Sequence, residues 1–217
     1  MKTRLDPCIG KPATLALYRA FLADTLHAAR QSSATVLLAH TSGPHFPEQD
    51  LADITFEQRG NSFAERFDAA LEDAANHLPN ETPLVLIGAD TPHLTPKFLR
   101  KTFDALKTWE AVIGPNVNGG FCLLGFASHP VPVSEVFSHP STEEPIELLR
   151  ILHKARLRTM SLESHFDVDL PEDLMRLIRL IDSLEASDVD LIPKNTRNAL
   201  HDTGIISLVM QTVNARL

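Results

Sequence analysis

Asp90 stands one residue past the apolar run Leu84-Val-Leu-Ile-Gly88. If that run is a strand, the Asp90 carboxylate projects from its carboxyl end, where ligands of open α/β sheets sit. A carboxylate there, with a second oxygen nearby, suits Mg²⁺ or Mn²⁺ shared with the phosphates of a nucleotide. The structural alternative is that Asp90 caps the following helix or bonds loop amides around Thr91-Pro92. Asn118-Gly119-Gly120 has two glycines that let backbone approach a ligand closely. Asn-Gly is also the usual signal of a tight type I′ hairpin, and spacing alone favours the turn. Asp167 and Asp169 precede a helix-like segment. Asp169 reads as the N-cap of that helix, whereas Asp167 has no comparable structural task. Lys2, Thr3 and Arg4 place a point charge and a planar fork in one short segment, a pair that suits a diphosphate. An ordinary charged terminus reads the same way.

Other candidates carry less. Glu65-Arg66 fits a buried pair or a solvated helix face equally. Cys8 and Cys122 have no metal-ligand spacing and form no disulfide framework. Ten histidines show no H-E-x-x-H pattern, and His93, three residues past Asp90, reads as a loop or helix-start residue in preference to a ligand. The chain has no G-x-S-x-G, P-loop or G-x-G-x-x-G motif, which removes the hydrolase, Walker-type and dinucleotide-oxidoreductase readings.

Alternating strand-like and helix-like segments must position these residues. Helical spacing predicts a helix over Lys11–Ala29 with Leu15, Tyr18, Leu22, Leu26 and Ala29 on one face. Further helices follow from about Ser62, from Thr95-Pro96, and over the segment behind Ser141-Thr-Glu-Glu144, which reads as a capping box. The last long helix opens at Asp169-Leu-Pro-Glu-Asp173. Short apolar runs at 34–40, 53–58, 83–89, 111–113, 121–124 and 157–162 read as strands. The pattern is α/β, a three-layer α/β/α arrangement with a mostly parallel sheet. Residues 1–187 read as one domain, and 188–217 as a short helical extension of it.

Composition sets outer limits. The chain has 217 residues with 43% hydrophobic and 22% charged content, which suits a folded domain with its own core. Acidic residues outnumber basic ones 28 to 20, for a net charge of −8. That balance argues against a nucleic-acid partner. No apolar run approaches the ~18 residues of a membrane span, and no secretory h-region follows the charged start, so the expected location is the cytoplasm.

Taken together the segments resemble a bacterial family of GT-A-type glycosyltransferases of undefined substrate, formerly a domain of unknown function. The resemblance rests on Lys2-Thr-Arg-Leu5 with Pro7 and Gly10, Gln58-x-Gly60 with Glu65-Arg66, and Leu86-Ile-Gly-Ala-Asp-Thr-Pro-His-Leu94. It continues through Ile113-Gly-Pro-Asn-Val-Asn-Gly-Gly-Phe121, Leu124-Gly125, Ser141-Thr142 and Asp167-Val-Asp-Leu-Pro-Glu-Asp-Leu174. It implies a nucleotide-diphospho-sugar transferase fold and transfer from a nucleotide-sugar to a small-molecule acceptor, with Mg²⁺ or Mn²⁺ as cofactor. Asp90 and Asn118 would hold the metal, and Lys2, Thr3 and Arg4 the phosphates. Asp90, Asn118, Gly119 and Gly120 would also contact the nucleotide. The Gly-Gly turn with Asp167 and Asp169 would line the acceptor side, with Asp167 as base or further ligand. The rival readings are a nucleotidyltransferase acting on a nucleoside triphosphate and a non-catalytic nucleotide-binding protein.

The chain departs from the family's pattern in several places. Asn118 replaces the usual Asp before Gly-Gly, Ala64 the Gly before Glu-Arg, and Phe121 a common Tyr. The family also has a central strand ahead of Lys-Thr-Arg. The expectation is therefore a start site upstream of Met1. A chain truly lacking that strand would favour the non-catalytic reading.

Overall fold

The computed structural model describes residues 3–140, 142–185, 191–202 and 204–214. Lys2 and Ser141, both named above, lie outside the described residues. The chain opens with α1 (Asp6–Ile9) and α2 (Lys11–Gln31), then β1 (Leu37–His40), β2 (Ile54–Glu57) and α3 (Phe63–Asn76). Next come β3 (Leu84–Ile87), α4 (Pro96–Leu106), β4 (Ala111–Pro115), β5 (Phe121–Phe126) and α5 (Glu144–Lys154). It closes with β6 (Thr159–Ser161), α6 (Pro171–Glu185), α7 (Lys194–Asp202) and α8 (Ile205–Asn214).

The strands form two sheets. β1 and β2 pair in parallel, and a second sheet has the order β3-β5-β4-β6. Within it β4 and β6 are parallel, while β5 runs antiparallel to both β3 and β4. The alternation of side chains along a strand divides the core by face. Leu84 and Leu86 pack toward α3 and α5 with Leu71, Leu148 and Leu152. Val85 and Ile87 pack toward α4 with Phe98, Leu99 and Leu106. A third apolar cluster joins α1, α2, α6, α7 and α8 around Leu5, Phe21, Val168, Leu177 and Val209. This is the expected α/β layering.

Local chemistry accounts for the ends of several helices. Thr95 accepts from the Phe98 amide at 3.1 Å, so the Thr-Pro start of α4 is a true cap. Ser62 accepts from the Glu65 amide at 3.1 Å, and Glu65 accepts from the Asn61 amide at 2.7 Å. Glu65 is therefore engaged at the start of α3 instead of pairing with Arg66. Gly60 has φ +119, and a Cβ there would fall 2.8 Å from Glu65 Cβ and 2.9 Å from Arg66 N. The glycine is required because the chain lies against the first turn of α3. Asp24, buried in α2, accepts from the amides of Asn195 and Thr196 at 3.0 and 2.7 Å and so caps α7 from another element.

Three expectations need correction. The fully buried residues of α2 include Leu17 and Phe21, which pack on the C-terminal helices, whereas of the predicted stripe Leu26 is buried and Leu15 is 46% exposed. An apolar helix stripe finds the core only where another element covers it. Helix α5 starts at Glu144, and Glu143 in the cap position makes no side-chain cap bond. Asp169 is not the cap of α6. Leu170 precedes that helix, and Asp173, inside its first turn, accepts from the amides of Asp169 and Leu170 at 3.2 and 2.9 Å.

Candidate active site

Two loops meet beyond the carboxyl end of β3. One carries Asp90 and Thr91. The other is the segment 165–169 between β6 and α6. Val168 N donates to the Asp90 carbonyl at 2.9 Å, so the Asp90 and Asp167 carboxylates issue from neighbouring stretches of backbone. Thr91 Oγ1 donates to Asp167 Oδ1 at 2.6 Å, and Asn116 Nδ2 donates to Asp167 Oδ2 in a short bond. Thr91 and Asn116 are themselves buried, at 1% and 8% exposure. Asp167 is thus fixed by two neutral donors from two different strand ends.

Asn116 follows β4 directly and is held by backbone contacts on both sides. Its N–H donates to the Gly120 carbonyl at 3.0 Å, and its carbonyl accepts from the Gly119 amide at 3.2 Å. Its side-chain Oδ1 is buried with no hydrogen-bond partner among the described residues. A buried acceptor left unmatched costs free energy, so it marks a place where a ligand atom or cation belongs. Sequence reading passed over Asn116 in favour of Asn118. The rule that points to Asp90, a polar residue just past a strand, applies to Asn116 as well.

The β4–β5 connection is a hairpin, as spacing favoured, but not of type I′. Type I′ needs positive φ at both central residues. Here the positive φ values fall at Gly119 (93°) and Gly120 (75°), not at Asn118. A Cβ on Gly120 would lie 3.1 Å from Glu144 Oε2. Burial pushes the Glu144 carboxyl upward from the usual range. Asn118 is exposed and donates through Nδ2 to Asp173 Oδ1 at 3.1 Å. It lies at the rim by the start of α6, while the amide beside Asp167 is that of Asn116.

Apolar and aromatic groups back this site. Cys122 donates to the Gly114 carbonyl at 3.4 Å, and burial, with Asp167 nearby, pushes its thiol up to about 12. His93 stacks on Phe166 with ring centroids 4.1 Å apart, and the Arg176 guanidinium lies 4.2 Å from the centroid of that same Phe166 ring. Burial lowers the His93 pKa to about 3, with His165 and Arg176 adding to the effect. His93 is therefore a neutral stacking residue at neutral pH. Thr3 and Arg4 are exposed in the turn that leads into α1.

A metal was expected here. Among the described residues no group of three or more His, Cys, Asp or Glu side chains is close enough to hold one. The oxygens at hand are the Asp90 and Asp167 carboxylates and the unmatched Asn116 Oδ1. Mg²⁺ commonly takes one or two carboxylates and completes its shell with water and substrate phosphates. The donor set fits that mode and does not form a closed protein cage.

A family model described as "Uncharacterized protein conserved in bacteria (DUF2064)" matches residues 21–141, more than half of the chain. The protein belongs to that family. This DUF2064 protein is similar over 97% of its length to a crystal structure from Desulfovibrio desulfuricans G20 assigned provisionally as a nucleotide-diphospho-sugar transferase. The likeness covers 91% of that chain, with TM-score 0.79 and 24% identity. It shows that the DUF2064 chain and that protein share one α/β fold. A manganese complex of Rv0371c from Mycobacterium tuberculosis H37Rv is more distant, at 20% identity and TM-score 0.45, covering 73% of this chain and 86% of that one. That overlap is too small to carry an argument. No curated protein matches this chain. No described helix is long and apolar enough to cross a membrane.

Proposed function

We propose that this DUF2064 protein is a metal-dependent glycosyltransferase that takes a nucleotide-sugar donor at the carboxyl end of its sheet. The observation that carries the proposal is the junction of the Asp90 and Asp167 loops around the unmatched oxygen of Asn116. Asp90 and Asp167 would hold Mg²⁺ or Mn²⁺ jointly with the donor's diphosphate, Asn116 Oδ1 would supply a further oxygen contact, and Asn118 would meet the donor at the rim. A metal held by these residues would supply positive charge against the departing nucleoside diphosphate. Arg4, with Lys2 and Thr3 beside it, would bind the same phosphates.

In the reaction, the bond from the sugar's anomeric carbon to the diphosphate oxygen breaks. A bond to an acceptor hydroxyl oxygen forms, and the hydroxyl proton passes to solvent water. A carboxylate pinned by two donors is fixed in orientation, which suits Asp167 to ligation better than to proton abstraction. The glycines at 119 and 120 would let a small acceptor approach the hairpin backbone.

The test is a thermal melt against nucleotides and nucleotide-sugars with and without Mn²⁺, followed by product analysis. A metal-dependent rise in melting temperature that Asp90→Ala abolishes, with nucleoside diphosphate released, is the expected result. Pyrophosphate release from a triphosphate would assign a nucleotidyltransferase instead. A melt that no nucleotide shifts would leave a non-catalytic protein.

A further inference from the structure

Phe63 opens α3 with 62% of its surface exposed, although a phenylalanine is normally buried. It meets Phe137 edge-on with ring centroids 4.8 Å apart, and Phe137 packs on Phe67 at 5.0 Å. Phe67 in turn makes a T-shaped contact with Phe121 at 5.8 Å. Edge-to-face pairs fix ring orientation. The four rings therefore form a stiff apolar shelf with one ring turned to solvent.

The shelf stands beside the candidate active site. Phe121 opens β5 opposite Pro115, the last residue of β4, and directly follows the glycines of the hairpin. Phe63 and Phe67 also line a cavity of about 1190 Å³ whose wall includes Gly88 and Asp90, just past β3. One charged group borders the shelf. Glu144 Oε2 lies 3.1 Å from where a Cβ on Gly120 would stand, which sets that carboxylate against the backbone next to Phe121. Glu144 is half-buried, and its carboxylate has no hydrogen-bond or ion-pair partner among the described residues. Burial alone moves its pKa, with no cation or donor to offset the cost.

These features select the ligand's chemistry. A half-buried carboxylate without a cation is costly, and a ligand that brings the cation removes the cost. Aromatic rings favour the same charge, because a ring face attracts a cation through its quadrupole. Arg150, the nearest cation along α5, pairs with Glu147 instead, at 2.6 Å. An anion would face Glu144 with nothing to neutralise it. A purely apolar molecule would cover the rings and leave the carboxylate unmatched.

We propose that the phenylalanine shelf and Glu144 form a binding site for an organic cation, an alkylammonium that also carries a hydroxyl. The ammonium sits between the Phe63 ring and the Glu144 carboxylate, with the hydroxyl toward the hairpin glycines. Naming this ligand the glycosyl acceptor rests on the transferase reading, whereas the binding site itself does not. On that reading Phe63 and Glu144 determine acceptor specificity, and the reacting atom is the ligand's hydroxyl oxygen.

The experiment titrates the 217-residue chain with choline and with ethanolamine in metal-free buffer at neutral pH, followed by NMR. Dimethylbutanol, which has choline's shape without its charge, is the control. At least one of the two cations is expected to bind about tenfold or more tightly than the control. Phe63→Ser should weaken that binding about fivefold, and Glu144→Gln should reduce it to the level of the control. An unchanged melt for each variant separates a lost contact from lost folding. Binding of neither cation, equal binding of dimethylbutanol, or cation binding that Glu144→Gln leaves unchanged would overturn the site. A cation held only in the cavity between the sheets gives the last of these results, because Glu144 does not line that cavity. No nucleotide is used, so failure here leaves the transferase reading standing, and failure of the nucleotide melt leaves this site standing.

Discussion

Asn118 Nδ2 and Asp173 Oδ1 lie 3.1 Å apart, tying the glycine hairpin to the first turn of α6. Asp173 also accepts the amides of Asp169 and Leu170, so one carboxylate organises both the helix start and the rim of the candidate site. The bond explains how Asn is accommodated where the resembling family has Asp. An Asp at 118 would set two carboxylates in contact unless a cation lay between them.

Asn118→Asp is therefore expected to destabilise the metal-free protein by about 1 kcal/mol, through a lost hydrogen bond and like-charge repulsion at an exposed position. Mn²⁺ or Mg²⁺ should restore the loss in the variant and leave the parent's melt less affected. Melting temperature against divalent ion concentration, for both proteins, reads this directly.

Asp167→Ala removes the acceptor for two buried donors, Thr91 Oγ1 and Asn116 Nδ2. The expected cost is about 2–3 kcal/mol in chemical denaturation, because each donor is left unsatisfied. Asp167→Asn keeps the size and part of the bonding, so it should cost less while still abolishing the metal-dependent nucleotide shift. The two variants together separate folding from ligand binding.

His93 is held neutral by burial, with its pKa lowered to about 3 from an ordinary 6.5. Between those values the unfolded chain binds a proton that the folded chain does not. Stability from this group is therefore complete above about pH 6.5 and falls progressively as pH drops toward 3. His93→Phe should show a shallower decline of melting temperature between pH 7 and pH 4 than the parent.

Cys122 should be inert in the native protein. Its thiol is 5% exposed and pushed up to about 12, chiefly by burial, so thiolate is scarce across pH 7–9. Titration with a thiol reagent should find no fast-reacting Cys122 across that range, and full reaction only after unfolding. Cys122→Ser should leave the fast phase unchanged.

Asp24→Ala should lower stability by about 2 kcal/mol or more, since it uncaps α7 and strands the buried amide of Thr196. Asp24→Asn, which keeps an acceptor oxygen, should recover part of that loss in the same denaturation assay.

Much of this protein was determined by local sequence. Thr95-Pro96 and Ser62 set helix starts through bonds to residues three positions on, and apolar runs bounded by turns set β3, β4 and β5. The strand-end rule was enough to select Asp90 and Asp167 as candidates, because each lies where a short loop leaves the sheet. Tertiary structure decided the rest. Whether Asn116 or Asn118 borders Asp167 depends on which side chain the hairpin turns inward, and that follows from positive φ at Gly119 and Gly120. Asp173 displaced Asp169 as the cap of α6 because a carboxylate inside the first turn can reach back to the preceding amides. Asp24 caps a helix far along the chain, a bond no local pattern encodes. The α2 stripe shows the same limit: periodicity marks a face as apolar, but only the packing of distant elements determines what covers it.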